Sequence, residues 1–351
     1  MRVRVITVEP GQAHSARLED WPEPPASDGG LLVRALALGV CGTDRDILEG
    51  HYGSAPASSP RLILGHESLG IVEEAPAGCG FVAGDRVVGI VRHPDPLPCP
   101  ACAAGAWDMC RNGLYTEHGI KERHGFGAER YRLAPEFAVK VDPALGLAAV
   151  LTEPASIVAK AWDHVERIGR RAPAFAPRTL LVTGAGPIGL LAAMFGHQRD
   201  LDIHVLDRHQ DGPKPALVRA LGGTYHTAPD SLGGAAFDVV MECTAATPLI
   251  VEAVTRCAPA GIVCLLGVSS PGARTDFDIG GFNRTLVLNN AVVFGTVNAN
   301  RRHYEDALVA LARAERSWRE ALITRRVPLA HWAEAFAPRP DDIKVVVEFS
   351  L

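Results

Sequence analysis

The sequence predicts an α/β protein in which a β-rich region is followed by a doubly wound parallel sheet. Its 351 residues are enough for about two domains. Up to about residue 150, Gly and Pro repeatedly interrupt short strands, which is typical of a turn-rich β domain. From residue 179 onward, short apolar strands alternate with helices, which indicates βαβ units and a sheet covered on both faces.

The β-rich region contains several segments with strand composition. The first ten residues, MRVRVITVEP, alternate between polar and apolar side chains. Further strands are expected at 31–40, 69–73, 86–91 and 137–141. Residues 96–113 are rich in Pro, Cys and Ala, so we expect an irregular lobe there.

The second region begins with a helix over 153–167, since Pro154 stands at a helix start, where a missing N–H costs nothing. A Pro-rich connector follows at 170–178. Strands are then expected at 179–183, 203–206, 237–241, 262–266 and 292–294, and helices at 187–199, 215–221 and 248–257. A helix at 302–313 and a strand at 344–349 complete the chain.

Composition restricts the class of partner. The net charge of −5 implies no basic face, so neither nucleic acid nor an anionic membrane is an expected partner. The N-terminus lacks the apolar core of a signal peptide, and no apolar run looks long enough to span a bilayer. The eight cysteines are unevenly spaced and three of them cluster, which favours metal binding in a reducing cytoplasm over a disulfide framework.

A glycine-rich turn lies between the strand at 179–183 and the helix that follows it. It reads Gly184-Ala-Gly186-Pro187-Ile188-Gly189. In this strand–turn–helix context the glycines allow a tight turn, a close approach to a pyrophosphate and close helix–strand packing. We therefore predict a Rossmann dinucleotide site there, the alternative being a glycine-rich turn without a ligand.

Asp207 follows the next strand at about the distance expected of the acid that binds a ribose 2′-hydroxyl. A carboxylate there favours NAD, because it repels a 2′-phosphate. Arg208 and His209 favour NADP, since cations attract that phosphate. NAD is the preferred prediction, and use of both cofactors stays open.

Four dispersed residues form a potential catalytic metal site: Cys41, His66, Glu67 and Glu153. A mixed set of sulfur, nitrogen and oxygen donors suits a zinc ion that keeps one position open for chemistry. The alternative is a buried free cysteine beside unrelated acids.

The lobe at 96–113 contains Cys99, Cys102 and Cys110. Three thiols at this spacing predict a structural zinc, which needs a fourth ligand. Asp95, His93 and Asp108 are the nearby candidates. A lobe that holds no metal is the alternative.

Together these segments resemble the zinc-dependent medium-chain alcohol and polyol dehydrogenase family. The matching motifs are Gly39-Val-Cys41-Gly-Thr43-Asp44, Gly65-His66-Glu67, Gly84-Asp85-Arg86-Val87, the cysteine lobe, Glu153-Pro154 and Gly184 to Gly189. Within the family, the chain is most similar to the glucose dehydrogenase branch. The segments that carry this similarity are Gly50-His51-Tyr52-Gly53, Val91-Arg92-His93-Pro94, Glu117-His-Gly-Ile120, His124-Gly125-Phe126 and Val297 to Tyr304.

The resemblance implies a GroES-like β-barrel catalytic domain plus a Rossmann domain with a doubly wound parallel sheet. The implied boundaries are 1–152 for the catalytic domain, 153–300 for the Rossmann domain and 301–351 for a C-terminal return to the catalytic domain. Family members are dimeric or tetrameric, which implies a homodimer or homotetramer.

The resemblance also assigns roles to side chains. Cys41 and His66 are expected to hold the catalytic zinc, with Glu67 and Glu153 as oxygen ligands or exchangeable groups beside it. In the lobe, Asp95 lies near the position where the branch commonly has a fourth cysteine. The chain therefore departs from the branch at the structural zinc site and not at the catalytic one.

Further roles concern the substrate and its proton. Thr43 is expected to bond the reacting hydroxyl and to start a proton relay, in which His51 is a possible next station; the alternatives are a helix cap and an ordinary loop residue. Glu117 and Asn298 are expected to bind sugar hydroxyls or to line the nicotinamide pocket. Asp44 is expected on a solvated helix face together with Asp46 and Glu49.

The resulting functional prediction is a zinc-dependent oxidoreductase that transfers hydride from the C1 hydroxyl of a glucose-like aldose to NAD, with NADP possible. A cyclitol, an aminocyclitol, a polyol or a secondary alcohol is the alternative substrate. A cofactor-binding protein without turnover is less expected, because a pure binder does not need the metal ligands Cys41, His66 and Glu153.

Overall fold

The chain divides into two compact units in a computed structural model that describes residues 1–269, 272 and 276–349. The first unit comprises Met1–Ser156 and Asn298–Leu351, and the second comprises Ile157–Val297. The boundaries between the units, at 156/157 and 297/298, lie within a few residues of the predicted boundaries at 152/153 and 300/301. The boundaries themselves stay a prediction.

The N-terminal part consists mainly of short strands. They are β1 (Arg2–Val8), β2 (Arg17–Pro22), β3 (Leu31–Val40), β4 (Leu62–Ile63), β5 (Glu67–Glu74), β6 (Arg86–Gly89), β7 (Arg92–His93), β8 (Thr116–His118), β9 (Glu122–Arg123), β10 (Arg130–Leu133) and β11 (Ala138–Lys140). Two short α-helices accompany them, α1 (Gly42–Leu48) and α2 (Pro100–Ala103), together with 3₁₀ turns at Ala26–Asp28, Trp107–Met109, Pro135–Phe137 and Pro143–Leu151.

The remainder alternates between helices and strands. In order these are α3 (Thr152–Gly169), β12 (Thr179–Thr183), α4 (Pro187–His197), β13 (Asp202–Leu206), α5 (Pro213–Ala220), β14 (Thr224–His226), β15 (Phe237–Glu242), α6 (Thr247–Thr255), β16 (Cys257–Leu265), α7 (Ile279–Asn289) and β17 (Val292–Gly295). The C-terminal segment adds α8 (Arg301–Arg313), α9 (Arg316–Ala321), β18 (Ile323–Pro328), α10 (Trp332–Phe336) and β19 (Lys344–Glu348), and 3₁₀ turns lie at Pro229–Leu232 and Leu329–His331.

The first unit is organised around β3. This ten-residue strand is almost entirely buried, and it pairs antiparallel with β5, β10 and β19. The main sheet has the order β11-β6-β5-β3-β19-β18, with β10 paired to β3 off this path. Because β19 comes from the last residues of the chain, the unit is complete only when both ends of the sequence have folded together.

The second unit contains a parallel sheet with the order β14-β13-β12-β15-β16-β17. The predicted doubly wound parallel sheet is therefore confirmed. The strand order reverses between β12 and β15, and in sheets of this type a ligand binds beside the carboxyl ends of the strands at that point. The glycine-rich turn follows β12, so it lies at this edge of the sheet.

Several elements differ from the sequence-based expectation: β2, β14, β18 and α7 are among those not predicted, and β16 has a different start. The strand β16 begins at Cys257, five residues earlier than predicted, because Pro259 and Gly261 gave that segment the composition of a turn. The helix α7 was not predicted at all. None of its residues is buried, and Phe282 and Leu286, about one turn apart, pack against the core while staying partly exposed.

The segment Pro143–Gly169 is long and apolar enough to meet the length criterion for a membrane span, contrary to the expectation that no such run exists. However, 78% of its apolar window is buried inside the protein. A helix covered in this way by other protein is a core helix of the fold.

Candidate active site

Three potential metal ligands meet at one edge of the main sheet of the first unit. The donor atoms of Cys41, His66 and Glu67 all lie within 4.8 Å of one another. Cys41 directly follows β3, whereas His66 and Glu67 lie at the start of β5. The antiparallel register places Gly39 of β3 opposite Glu67, so pairing of these two strands brings the ligands together.

Gly39 is required by this close approach. A Cβ atom at that position would overlap the Glu67 carboxylate oxygen Oε2. The glycine of the Gly39-Val-Cys41 motif therefore makes room for a carboxylate that is only 1% exposed. Any larger residue would have to displace Glu67 from the cluster.

Asp44 contacts two of the potential ligands, Cys41 and His66. Its Oδ2 accepts a 2.9 Å hydrogen bond from the backbone N–H of Cys41, and its Oδ1 lies 3.4 Å from His66 Nδ1. Burial opposes a charged imidazole, but the Asp44 carboxylate and the Cys41 thiol raise the pKa of His66 well above its ordinary value. The expectation that Asp44 is solvated is wrong: the residue is fully buried, because it caps α1 from inside the site.

The donor set fits a zinc ion. Sulfur, nitrogen and oxygen donors converge, and His66 Nδ1 and Asp44 Oδ1 are buried polar atoms without a well-formed hydrogen bond. Orphaned buried polar atoms are costly unless a ligand or an ion compensates them. A thiolate, an imidazole and a carboxylate are the ligands that a catalytic zinc takes, with one position left open.

Lys344 is a residue of the site that the sequence did not identify. Its Nζ lies 2.6 Å from both carboxylate oxygens of Glu67 and 3.1 Å from the carbonyl oxygen of Val40, and it is 1% exposed. A lysine at the start of an otherwise apolar buried strand was the signal available in the sequence. Its pairing with Glu67 means that this carboxylate is held in place by a buried cation.

Glu153 lies beside the cluster, although the group of mutually close donors in the described residues comprises only Cys41, His66 and Glu67. Glu153 is 7% exposed, and burial raises its pKa to about 7 against the attraction of His66. It is therefore placed to approach a bound ion or substrate without being a fixed part of the cluster.

The two relay candidates differ in position. Thr43 Oγ1 lies 3.9 Å from Cys41 Sγ, at the start of α1. The His51 side chain is 74% exposed and lies 3.5 Å from a carboxylate oxygen of Glu49. The fold thus brings Thr43 to the ligand cluster and leaves His51 at the surface.

Comparison with known proteins defines the family. Residues 146–349 match the family model described as Glucose dehydrogenase C-terminus, and residues 27–143 match that described as Alcohol dehydrogenase GroES-like domain. The chain belongs to the glucose dehydrogenase branch of the zinc-dependent medium-chain dehydrogenases. This membership confirms the predicted combination of a GroES-like domain and a Rossmann domain.

Individual relatives match along their whole length. Glucose 1-dehydrogenase 1 of Caldivirga maquilingensis is 40% identical over 354 residues, and glucose 1-dehydrogenase of Thermoproteus tenax is 41% identical over 351 residues. Both matches cover 99% of each chain. Among solved structures, Haloferax mediterranei glucose dehydrogenase in complex with NADP, zinc and gluconolactone is 30% identical, with a TM-score of 0.90 and 99% coverage of both chains.

The cysteine lobe of this glucose dehydrogenase family member brings its three thiols together. The sulfur atoms of Cys99, Cys102 and Cys110 lie within 4.8 Å of one another. Backbone N–H donors, first that of Arg111, lower the pKa of Cys99 to about 6, whereas burial raises that of Cys102 to about 11. A stabilised thiolate among three close sulfur atoms suits a zinc ion.

The three candidates for the fourth lobe ligand all have other partners. Asp95 accepts 2.8 Å hydrogen bonds from Leu97 N and Asn112 Nδ2. His93 Nε2 lies 3.1 Å from His118 Nε2, and Asp108 Oδ1 accepts a bond from Asn300. None of the three belongs to the close sulfur group among the described residues. Asp95 as fourth ligand stays a prediction.

The dinucleotide turn has the geometry that its glycines require. A Cβ on Gly189 would overlap the carbonyl oxygen of Gly184, whereas one on Gly186 would meet nothing within 4 Å. The turn therefore packs tightly on one side and is open on the other. α4 begins directly after it at Pro187, so its N-terminal N–H groups can receive a pyrophosphate.

Asp207 makes more hydrogen bonds and ionic contacts within the protein than the sequence indicated. Its oxygens accept bonds from Ala185 N at 2.7 Å and from His209 N and Nδ1 at 2.9 and 2.6 Å, and Lys214 Nζ lies 3.5 Å away. Burial opposes its ionisation, but these donors lower the pKa of Asp207. Asp207 thus braces the glycine-rich turn. The nearby cation Lys214 was not predicted from the sequence, and Arg208 is exposed.

Proposed function

We propose that this chain is a zinc-dependent dehydrogenase that transfers hydride from the C1 hydroxyl of a glucose-like aldose to NAD or NADP. The observation that carries the proposal is the cluster of Cys41, His66 and Glu67 in a chain that matches glucose 1-dehydrogenases over its full length. The structure of the Haloferax mediterranei relative, bound to NADP, zinc and gluconolactone, supports the same chemistry.

The overall reaction is balanced without a further reactant. The C1 carbon of the sugar loses a hydride to the nicotinamide, and its hydroxyl loses a proton to solvent. The products are a lactone, the reduced cofactor and one proton. Zinc supplies Lewis acidity and the nicotinamide supplies the hydride acceptor when they are bound.

The side chains of the chain position the reactants and move the proton. Cys41 and His66 are the proposed zinc ligands, with Glu67 and Glu153 as oxygen ligands or exchangeable groups beside the ion. Thr43, close to Cys41 Sγ, is placed to accept the proton of the reacting hydroxyl in a hydrogen-bonded relay. His51 is proposed as a later group in this proton relay, which is consistent with the exposure of its side chain to solvent.

Sugar recognition is proposed for Glu117 and Asn298. Both are almost completely buried, and Asn298 Nδ2 donates a 2.7 Å hydrogen bond to Glu117 Oε1. A site with buried polar groups rejects a substrate that lacks the matching hydroxyls, since those groups would be left unpaired. The buried pair of Glu117 and Asn298 therefore favours an aldose over a simple alcohol.

The cofactor is proposed to be held by the turn from Gly184 to Gly189, with Asp207 and Arg208 at the adenosine ribose. Asn298 is a further candidate for contact with the nicotinamide. Asp207 favours NAD, and Lys214 together with Arg208 gives a 2′-phosphate a cationic environment.

We infer a homo-oligomer located in a reducing cytoplasm. The exposed apolar residues Ile279, Val287 and Leu288 on α7 support self-association. All eight cysteines are free thiols, which supports a reducing compartment. Light scattering of the purified protein would measure the oligomeric state.

The proposal is tested by a reduction screen with NAD and with NADP over aldoses, polyols, cyclitols, ethanol and propan-2-ol. An aldose should give the highest kcat/KM, and Glu117→Ala should lower kcat/KM for the sugar far more than it weakens cofactor binding. Equal or better kcat/KM with a simple alcohol than with every aldose would contradict the assignment. Efficient use of a cyclitol alone would change the substrate class, and a strong preference for NADP would refute the role given to Asp207.

A further inference from the structure

Arg92 and Glu117 form a buried ion pair that is built into the sheet. The two residues stand directly opposite each other in the antiparallel pair of β7 and β8. Arg92 Nε and Nη2 lie 3.0 and 2.9 Å from Glu117 Oε1, and the side chains are only 6% and 5% exposed. Such cross-strand neighbours are held by the register itself.

The two oxygens of the Glu117 carboxylate have different surroundings. Oε1 receives both donors of Arg92 and also the amide of Asn298. Oε2 receives no hydrogen bond from the part of the chain that the structure describes, and it is not among the fully buried unpartnered atoms. One oxygen is therefore saturated by the protein, whereas the other keeps its lone pairs for a ligand.

Arg92 is itself fixed from two further sides. Its Nη1 donates to the carbonyl oxygen of Asp108 at 3.3 Å, and its guanidinium lies 3.7 Å from the centroid of the Tyr115 ring. A guanidinium held by an ion pair, a carbonyl and an aromatic face has little freedom to rotate. It consequently fixes the plane of the carboxylate that it binds.

We propose that Arg92 is a positioning residue that determines sugar specificity. It holds the Glu117 carboxylate in one orientation through Oε1, and it thereby turns Oε2 toward one hydroxyl group of the aldose. The proposal rests on the proposed function, since it concerns the same substrate. Arg92 has no role in the transfer of hydride or proton.

Lysine cannot replace arginine in this role. An ammonium group is a point charge without the planar fork that places two donors on one oxygen. Arg92→Lys should retain the charge and much of the stability, but it should lose the fixed orientation of Glu117. This difference separates positioning from simple charge compensation.

The test compares kcat/KM for glucose with kcat/KM for the 2-, 3-, 4- and 6-deoxy sugars. In the wild-type enzyme, one deoxy sugar should be poorer by roughly 10- to 100-fold, which corresponds to a hydrogen bond to a charged group. In Arg92→Met this ratio should fall to within about 3-fold of unity, through a higher KM for glucose. Arg92→Lys should show most of the same loss with a thermal midpoint near that of the wild type, and binding of NADH should be unchanged in both variants.

Arg61→Met is the matched control. Arg61 is 5% exposed and pairs with Glu9 and Glu19, away from Glu117. This variant should lose stability and keep the wild-type discrimination between glucose and the deoxy sugars.

Retention of wild-type discrimination in both Arg92 variants, with glucose still oxidised, would overturn the inference and leave the proposed function intact. A wild-type enzyme that oxidises no aldose would instead refute the proposed function, and the inference with it. If Arg92→Met does not fold, Arg92→Lys decides by the same ratio.

Discussion

At the scale of single residues, the buried pair of Lys344 and Glu67 has the strongest consequences for the active site. Both side chains are at most 2% exposed, so neither charge is solvated by water. Burial opposes the ammonium ion, but the adjacent Glu67 carboxylate raises the pKa of Lys344 above its ordinary value. Removal of either charge alone would leave the other buried without compensation.

Lys344→Met should therefore lower the free energy of unfolding by about 3–5 kcal/mol, as denaturant titration would measure it. Lys140→Met is the control, since Lys140 is half exposed and its pair with Asp85 should contribute no more than about 1 kcal/mol. The double variant Lys344→Met/Glu67→Gln should regain part of the loss. An equal effect of the two lysine variants would refute the account of this pair.

His118 gives the protein a defined acid sensitivity. Burial, and then the charge of Arg123, lowers its pKa from 6.5 to about 3. Its Nδ1 donates to the carbonyl oxygen of His124 at 2.6 Å, so its Nε2 is the acceptor that faces His93. The folded protein therefore keeps this ring neutral.

Between pH 6.5 and about 3 the unfolded chain binds a proton at His118 that the folded chain does not bind. The contribution of His118 to stability should be constant above pH 6.5 and should decrease below it, by up to about 1.4 kcal/mol per pH unit. Urea unfolding from pH 7 to pH 4.5 measures this slope. His118→Gln should make the slope shallower. His331→Gln, which changes an exposed side chain, should leave it unchanged. Identical slopes in the wild type and both variants would exclude His118 as the cause.

At the scale of elements, the cysteine lobe has little regular secondary structure, so its thiols are the main groups that can hold it together. It contains only a four-residue helix and one 3₁₀ turn. Metal binding at such a site contributes directly to folding. Cys102→Ser should remove one zinc equivalent and lower the thermal midpoint more than it lowers the turnover of the enzyme that stays folded.

Cys79→Ser is the matched control for the lobe, because Cys79 is a free, partly exposed thiol outside the sulfur group. This variant should retain the full zinc content and the wild-type thermal midpoint. Unchanged zinc content in Cys102→Ser would show that the lobe holds no metal.

Elements with a local signal were predictable from the sequence, and residues placed by long-range pairing were not. Strand β12 and the glycine-rich turn carry their own apolar and glycine patterns, so their positions followed directly. The motif also identified Cys41, although its meeting with Glu67 depends on the register of β3 and β5. Asp44 was wrongly predicted on a solvated face, since an acid in the first turn of a helix has the same sequence signature whether it faces water or a buried ligand.

At the scale of the whole molecule, the chain completes its active-site unit with its last strand. Glu67 and Lys344 are 277 residues apart, and no local pattern links them. The intervening residues 157–297 form a separate unit with its own parallel sheet and cofactor turn. The chemistry of the site thus depends on a tertiary contact between distant parts of the sequence, which explains why Lys344 escaped the sequence analysis.

The central claim is that Cys41 and His66 hold a zinc ion that is required for sugar oxidation. It is tested most directly by measuring glucose-dependent reduction of NAD and NADP in metal-stripped protein, before and after zinc is added, for the wild type and for Cys41→Ala. We expect stripping to abolish turnover, zinc to restore it in the wild type but not in Cys41→Ala, and NADH to bind in every sample. Full turnover in the metal-stripped wild type would contradict the claim.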